Sequence, residues 1–144
     1  MGSTRVCEIE EANDEIHAYF VHADHIGSSN IITDESGQRV SLFEYKPFGR
    51  LSHCEETRSA DEAIPATDKL FTGKTYDTTT GLYYYGARYY DPELGRFITA
   101  DPTIQHPYDP QDFNRYAYAR NNPVKYVDPT GYGFWSWVKS FFAG

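Results

Sequence analysis

The sequence contains few of the residues that build disulfide frameworks or metal centres. Cys7 and Cys54 are the two cysteines among 144 residues, a number that allows one disulfide and excludes a four-cysteine zinc site. His22 and His25 flank Asp24 at a spacing typical of metal ligands, but no further Cys or His lies near them in sequence. A hydrogen-bonded turn explains that spacing more simply. We therefore expect no metal and no cofactor.

Positive charge and long apolar runs are also scarce. The chain carries 13 Lys and Arg against 21 Asp and Glu, a formal net charge of -8. This balance argues against nucleic acid or an anionic membrane as the main partner, because both require clustered cations. No apolar run reaches the roughly 18 residues that cross a bilayer, and the N-terminus has no hydrophobic signal core.

Aromatic residues are abundant by contrast. They make up 17% of the chain, with 13 Tyr and 9 Phe, while 40% of residues are hydrophobic and 24% charged. Such a composition is globular, and 144 residues suffice for one domain with a modest core. Tyrosine and phenylalanine favour pleated, half-buried surfaces. The composition therefore predicts a mainly β fold.

The first half of the chain predicts strands around one hairpin. Residues 1–15 form an acidic segment, which we expect to be loose from residue 8 onward. A strand is predicted over 16–22, and a hairpin over 30–45 with its turn at residues 34–37, where Gly37 suits a positive φ. Residues 52–69 lack periodicity and predict an exposed loop.

The second half repeats the same pattern. Residues 70–77 and 82–91 predict two strands joined by a polar turn at 78–81 that ends in glycine. The two hairpin units are degenerate repeats of a kind that buries little surface alone and stacks on neighbours. We therefore expect open sheet edges through which protomers self-associate.

The last third contains four Asp-Pro dipeptides and a C-terminal aromatic tail. Asp112 predicts the N-cap of a short helix over residues 113–120, which Pro123 would end. Residues 133–144 form the tail, whose apolar side chains predict one helical face. Its single Lys139 provides no basic face, which argues against a membrane role.

Several motifs closely resemble the RHS repeat-associated core domain of YD-repeat proteins. The likeness covers residues 17–132, and the motifs follow the order of that family. They are His22-Ala-Asp-His-Ile-Gly27, Glu44-Tyr-Lys-Pro-Phe-Gly49, Phe71-Thr-Gly-Lys-Thr-Tyr-Asp77, Gly81-Leu-Tyr-Tyr-Tyr-Gly-Ala-Arg-Tyr-Tyr-Asp-Pro-Glu-Leu-Gly-Arg-Phe97 and Asn121-Asn-Pro-Val-Lys-Tyr-Val-Asp-Pro-Thr-Gly131. We take residues 16–132 as the core domain.

The resemblance implies a fold and an activity. In that family YD hairpins wind into a β shell around a C-terminal toxin segment, and the core domain closes one end and cuts the chain. The implied motif runs from Pro123 through Pro129 to Gly131, with Tyr132 where leucine is usual. The cut would fall between Tyr132 and Gly133. The implied partner is the chain's own C-terminal segment or a fused toxin, and the implied location is secreted or at the cell surface.

The chemistry of the implied cut sets requirements on the residues that perform it. Hydrolysis of an amide by carboxylates needs two aspartates close enough to share a proton, so that one acts as base while the other acts as acid. Asp101 and Asp128 are our predicted pair, with Asp112 in reserve. Arg96 is the predicted cation that positions a carboxylate or an oxyanion.

Other interpretations of these residues stay open. Asp91 and Asp109 suit plain turns, and Arg88 and Arg96 could stack on aromatic rings. The tyrosines of residues 83–90 could form a carbohydrate platform or simply pack across strands. A non-enzymatic structural or interaction module would keep the fold without the cut. Since a shell needs many upstream repeats, we expect a fragment, a truncated gene or a stand-alone remnant.

Overall fold

The computed structural model describes residues 4–12, 15–56, 67–102 and 108–133. The chain divides into two compact units. The first comprises Met1–Lys46 and Leu51–Gly73, and the second comprises Pro47–Arg50 and Lys74–Gly144. Within the described ranges, every helix is too short or too polar to cross a membrane.

The first unit contains a five-stranded antiparallel sheet in which the strands follow sequence order. The strands are β1 (Thr4–Ala12), β2 (Glu15–Ala23), β3 (Ser29–Thr33), β4 (Arg39–Tyr45) and β5 (Leu51–Glu56). The predicted hairpin is confirmed as β3 and β4. Its turn is held by Asp34, whose Oδ1 accepts the N–H groups of Ser36 and Gln38, both at 2.9 Å.

Two predictions for the first unit were wrong. The loose acidic start is largely strand β1, which pairs with β2 from Thr4 opposite His22 to Ala12 opposite Glu15. The first residues of the predicted loop 52–69 belong to β5, which pairs with β4; residues 57–66 lie outside the described ranges. Both strands lie at sheet edges, where ladder hydrogen bonds decide the conformation and polar composition is tolerated.

The second unit contains a four-stranded antiparallel sheet. Its strands are β6 (Thr75–Asp77), β7 (Leu82–Tyr84), β8 (Tyr89–Asp91) and β9 (Arg96–Phe97). The single strand predicted over 82–91 is thus two strands, and the chain bends sharply between them. Gly86 has a φ of +96°, and the N–H of Tyr85 donates to the carbonyl of Arg88 at 3.0 Å. Glycine makes this reversal accessible.

The core of the second unit is a cluster of aromatic rings. Each of the five is at most 1% exposed: Tyr83, Tyr85, Tyr90, Phe97 and Tyr118. The hydroxyl of Tyr85 donates to that of Tyr118 at 3.1 Å, and the hydroxyl of Tyr90 donates to the carbonyl of Phe48 at 2.8 Å. Burial raises the pKa of Tyr90 well above that of a free phenol. Edge-to-face rings with bonded hydroxyls allow tyrosine to form this core.

The predicted helix over 113–120 was wrong. Two short 3-10 turns, Pro110–Phe113 and Ala119–Asn121, occupy this region instead. Ala119, Arg120 and Asn121 have φ values of +47°, +52° and +60°, a left-handed run that no α-helix accommodates. Arg120 pairs with Asp109 at 2.5 Å. The predicted helical face of the tail lies outside the described residues.

Candidate functional site

Three buried charged residues of the second unit meet at one point. Arg88 follows the bend after β7, Asp101 follows β9, and Asp128 lies in the final loop. Their side chains are 3%, 10% and 1% exposed. Charged side chains are almost never buried to this degree unless they are paired, so the arrangement of their partners is the informative feature.

Arg88 is the centre of this cluster. Its Nη2 lies 3.0 Å from Oδ2 of Asp101 and 3.4 Å from Oδ2 of Asp128, while its guanidinium carbon lies 3.8 Å from the centre of the Phe97 ring. Burial lowers the pKa of Arg88, and the charges of the two aspartates oppose that shift. One nitrogen therefore bridges the two carboxylates.

Asp101 is held through its backbone as well as its side chain. The N–H of Asp101 donates to the carbonyl of Arg115 at 2.8 Å, and Nε of Arg115 donates to the carbonyl of Asp101 at 2.6 Å. Nη1 of Arg88 donates to the same Arg115 carbonyl at 3.1 Å. Arg115 thus holds the backbone of Asp101, while Arg88 holds its carboxylate.

Asp128 organises the loop that follows it. Its Oδ1 accepts the N–H groups of Thr130 at 3.2 Å and Gly131 at 2.8 Å, and its Oδ2 accepts the N–H of Gly133 at 2.8 Å. Three backbone N–H groups and one guanidinium thus contact the two oxygens of this carboxyl group. The nitrogen of the predicted scissile peptide is therefore in direct contact with Asp128.

The carbonyl groups of the same loop are also bound. Nζ of Lys74 donates to the carbonyl of Pro129 at 2.6 Å, the N–H of Ala87 donates to that of Thr130 at 3.2 Å, and Nε of Arg88 donates to that of Gly131 at 2.5 Å. We call residues 129–133 the motif loop. Its backbone is held from both sides.

Gly131 is required by the geometry of the motif loop. Its φ is +77°, and a Cβ there would lie 3.2 Å from both the backbone N of Arg88 and Cβ of Tyr85. A side chain would be strained by the conformation and crowded by its neighbours. The glycine of the motif is thus explained by packing against the bend that carries Arg88.

The predicted site residues fall into two groups. The structure brings Asp101 and Asp128 together around Arg88, and it places the amide of Gly133 on Asp128. Arg96 lies in β9 opposite Asp91 with an exposed side chain, and across the described ranges no ion pair joins it to either aspartate. Asp112 contributes its backbone to the turn Pro110–Phe113, and its side chain lies outside the described residues.

The remaining motif residues differ in exposure. Pro123 is buried at the start of a turn, where the N–H of Lys125 donates to the carbonyl of Asn122 at 3.2 Å. Tyr132 is 54% exposed. An exposed position tolerates different side chains, and tyrosine stands here where the motif of the resembling family has leucine.

The two lesser Asp-Pro aspartates play structural roles. Oδ1 of Asp91 accepts the N–H groups of Glu93 at 2.8 Å and Leu94 at 3.1 Å, which is the turn that the sequence predicted. Asp109 forms the ion pair with Arg120. Neither contact involves the three residues of the buried cluster.

Sequence reasoning missed Arg88 as the central cation. Stacking of Arg88 on an aromatic ring was left open, and the contact with the Phe97 ring exists, but the two carboxylates are its charged partners. The signal was Gly86, because a glycine inside an aromatic strand marks a bend. The bend at Gly86 places Arg88 between the paired strands β7 and β8 instead of within them.

The fold and the site together define a β-hairpin repeat domain with a buried, arginine-bridged aspartate pair. Within the described part of the chain, no group of Cys, His, Asp and Glu is arranged to hold a metal ion. Two nearby carboxylates can perform acid and base chemistry on a peptide bond without one.

Comparisons with known proteins identify the family. The family model of the Teneurin YD-shell matches residues 7–124, and the chain therefore belongs to the YD-shell family. The resemblance drawn from the motifs and the mainly β fold class are both confirmed. A shell scaffold is the architecture that this membership supports.

Curated relatives and solved structures extend the comparison. The chain is 38% identical over 125 residues to "tRNA nuclease WapA" of Bacillus subtilis (strain 168), covering 87% of this chain and 5% of that protein. It is 41% identical over 138 residues to "Toxin subunit YenC1" of Yersinia entomophaga, covering 92% and 13%. The crystal structure of TcdB2-TccC3-TEV superposes with a TM-score of 0.70 at 39% identity, covering 85% and 5%. The chain thus spans a small part of its relatives' length.

Proposed function

We propose that this chain is the self-processing end of a YD-shell scaffold and cuts its own backbone between Tyr132 and Gly133. The observation that carries the proposal is the contact between the Gly133 nitrogen and Oδ2 of Asp128 at 2.8 Å. That same oxygen shares Nη2 of Arg88 with Asp101. A carboxylate on the leaving nitrogen and a second carboxylate beside it match the requirements of amide hydrolysis.

The proposed reaction is a single-turnover hydrolysis. Asp101 accepts a proton from water as the water oxygen attacks the carbonyl carbon of Tyr132. The C–N bond then breaks, its electron pair stays on the Gly133 nitrogen, and Asp128 donates a proton to that nitrogen. The products are a carboxyl group on Tyr132 and an amine on Gly133.

Arg88 positions the two carboxylates in this proposal. A guanidinium has a rigid set of donors that suits carboxylates and carbonyl groups, and Arg88 uses it on Asp101, Asp128 and the motif loop. Arg96 and Asp112 stay predicted contributors, and the same assay tests them. Their substitution should slow the cut if they act on it.

Intact mass spectrometry of the purified protein tests the proposal. Wild type should lose residues 133–144, and Asp101→Asn and Asp128→Asn should retain them. Asp91→Asn is the matched control, because Asp91 also precedes a proline but caps a turn outside the cluster. An uncut wild type, or a cut that persists in both Asn variants, would contradict the proposal.

The proposed partner is the segment that follows Tyr132. The relatives named as a nuclease and a toxin subunit are far longer than this chain, and we infer that in such a setting the cut separates a shell from a fused toxin. Self-association through sheet edges stays a prediction. A clean monomer in sedimentation would count against it.

A second candidate, glycan binding, rests on two exposed rings. Tyr84 and Tyr89 are 47% and 44% exposed, and their ring centres lie 5.0 Å apart on paired strands. Exposed rings of this kind can stack on sugar faces. Binding on a glycan array that Tyr84→Ala abolishes would support this function, and an array without signal would dismiss it.

A further inference from the structure

Lys74 holds the motif loop from a part of the chain distant in sequence. It precedes β6, and its Nζ donates to the carbonyl of Pro129, 55 residues further along, at 2.6 Å. The same Nζ lies 5.3 Å from the centre of the Tyr85 ring, whose residue is 1% exposed. The ammonium group is therefore fixed between a buried ring and the loop.

The carbonyl of Pro129 is the first of three consecutive carbonyls that are held from outside the motif loop. Lys74, Ala87 and Arg88 each supply one donor, to Pro129, Thr130 and Gly131 in turn. Arg88 also serves the two carboxylates, and Ala87 acts through its backbone. Lys74 thus holds this loop through a charged side chain that comes from outside the cluster of Arg88, Asp101 and Asp128.

We propose that Lys74 is a positioning residue for the cut, which sets the register of the motif loop against Asp128; this inference rests on the proposed function. The carboxyl oxygens of Asp128 accept hydrogen bonds from the N–H groups of Thr130, Gly131 and Gly133 on one side of the loop. The opposite side is held by Lys74 at Pro129, by Ala87 at Thr130 and by Arg88 at Gly131. The Lys74 contact lies at the residue next to Asp128, so it limits how the start of the motif loop can turn and keeps the scissile peptide facing the pair.

The expected effect follows from the geometry of bond cleavage. A reacting group displaced by about 1 Å can lose on the order of 10²-fold in rate. Replacing Lys74 with methionine keeps most of its apolar stem against Tyr85 and removes the donor to Pro129. We expect Lys74→Met to slow cleavage by about 10²-fold, and Lys74→Arg, which keeps a charged donor, to restore most of the rate.

Cell-free synthesis followed by timed intact mass spectrometry measures this rate and identifies the bond that is cut. Lys69→Met is the matched control, because Lys69 also has a charged contact, with Asp68 at 3.8 Å, but is exposed and lies outside the motif. The control should change the rate by no more than about 2-fold. Working well below the unfolding temperature of each variant separates positioning from loss of fold.

Hydrogen exchange supplies a readout that does not depend on cleavage. In the Asp101→Asn background, Lys74→Met should speed exchange of the Gly131 and Gly133 amides while leaving the Phe97 amide unchanged. The Phe97 N–H donates to the carbonyl of Tyr116 at 3.0 Å, far in sequence from the loop. Faster exchange at all three amides would indicate a general loss of stability and overturn the inference.

The outcomes for the two proposals are distinct. If wild type is cut and Lys74→Met is cut equally fast at the same bond, the role of Lys74 is refuted and self-cleavage stands. If wild type stays whole, self-cleavage fails and the role of Lys74 fails with it. Slow cleavage in Lys74→Met, recovered in Lys74→Arg with unchanged Phe97 exchange, supports both.

Discussion

Removing Arg88 should destabilise the second unit more than any other single charge change at the site. Arg88→Met keeps an apolar stem near Phe97 and deletes the cation that Asp101 and Asp128 share. The two aspartates then stay buried without the cation that they share. Removing one partner of a buried ion pair typically costs about 3–5 kcal/mol.

The structure places the expected loss near the middle of that range, at about 4 kcal/mol. Asp128 keeps three backbone donors and is partly compensated. Asp101 loses its ion pair, and the carbonyls of Gly131 and Arg115 each lose a donor from Arg88. A domain is stable by about 5–15 kcal/mol in total, so this loss is a large fraction of it.

Because the chain has two compact units, the assay must report on the second one. Native-state hydrogen exchange at the Phe97 and Ile98 amides does so, since they donate to Tyr116 and Tyr89, both at 3.0 Å. Arg96→Met, which removes an exposed cation of the same sheet, should change protection by less than about 0.5 kcal/mol.

A double-mutant cycle separates charge from packing. If the loss in Arg88→Met comes from leaving the two buried aspartates without their shared cation, it should shrink markedly in an Asp101→Asn, Asp128→Asn background. Equal losses in Arg88→Met and Arg96→Met, or a loss below about 1 kcal/mol, would refute the reasoning.

Three further predictions concern the second unit. Gly131→Ala should cost about 2–3 kcal/mol by urea unfolding, because strain at a φ of +77° adds to crowding by Arg88 and Tyr85; Gly81→Ala, at +73° with only a 3.9 Å neighbour, should cost less. Ala119→Gly should raise the unfolding temperature, since it relieves a left-handed residue at +47°, and a lower temperature would contradict this. Burial raises the pKa of Tyr90. The protonated Tyr90 side chain therefore contributes to stability below about pH 10, and above that pH the contribution falls by at most about 1.4 kcal/mol per pH unit. The urea midpoint should fall less steeply from pH 8 to 11 in Tyr90→Phe than in wild type.

The mainly β fold class could be predicted because strands leave a local alternation in the sequence. The aspartate pair could be predicted because both residues lie in motifs of the resembling family. The hairpin of β3 and β4 follows from alternation around the Asp34 turn, and the motifs carried Asp101 and Asp128. The edge strands β1 and β5 were missed because pairing with a neighbouring strand, which no local pattern encodes, determines their conformation.

The arginine at the site was missed for a related reason. Arg88 and Arg96 are similar in sequence, since each stands near aromatic residues in a strand-like run. The bend at Gly86 turns one of them inward, while the other stays on an exposed face of β9. The helix over 113–120 failed because Tyr118 is completely buried and the next three residues adopt left-handed conformations.

The motif loop is held at several points through its main chain, by N–H and C=O groups that do not depend on the identity of the side chain. Thr130 and Tyr132 both direct their side chains outward. Contacts of this kind do not depend on which side chains the segment carries, apart from residues whose backbone conformation shapes the turn, such as Gly131. Under the proposed cleavage, such a junction would accept different sequences after residue 133 without any change to the residues that hold the motif loop.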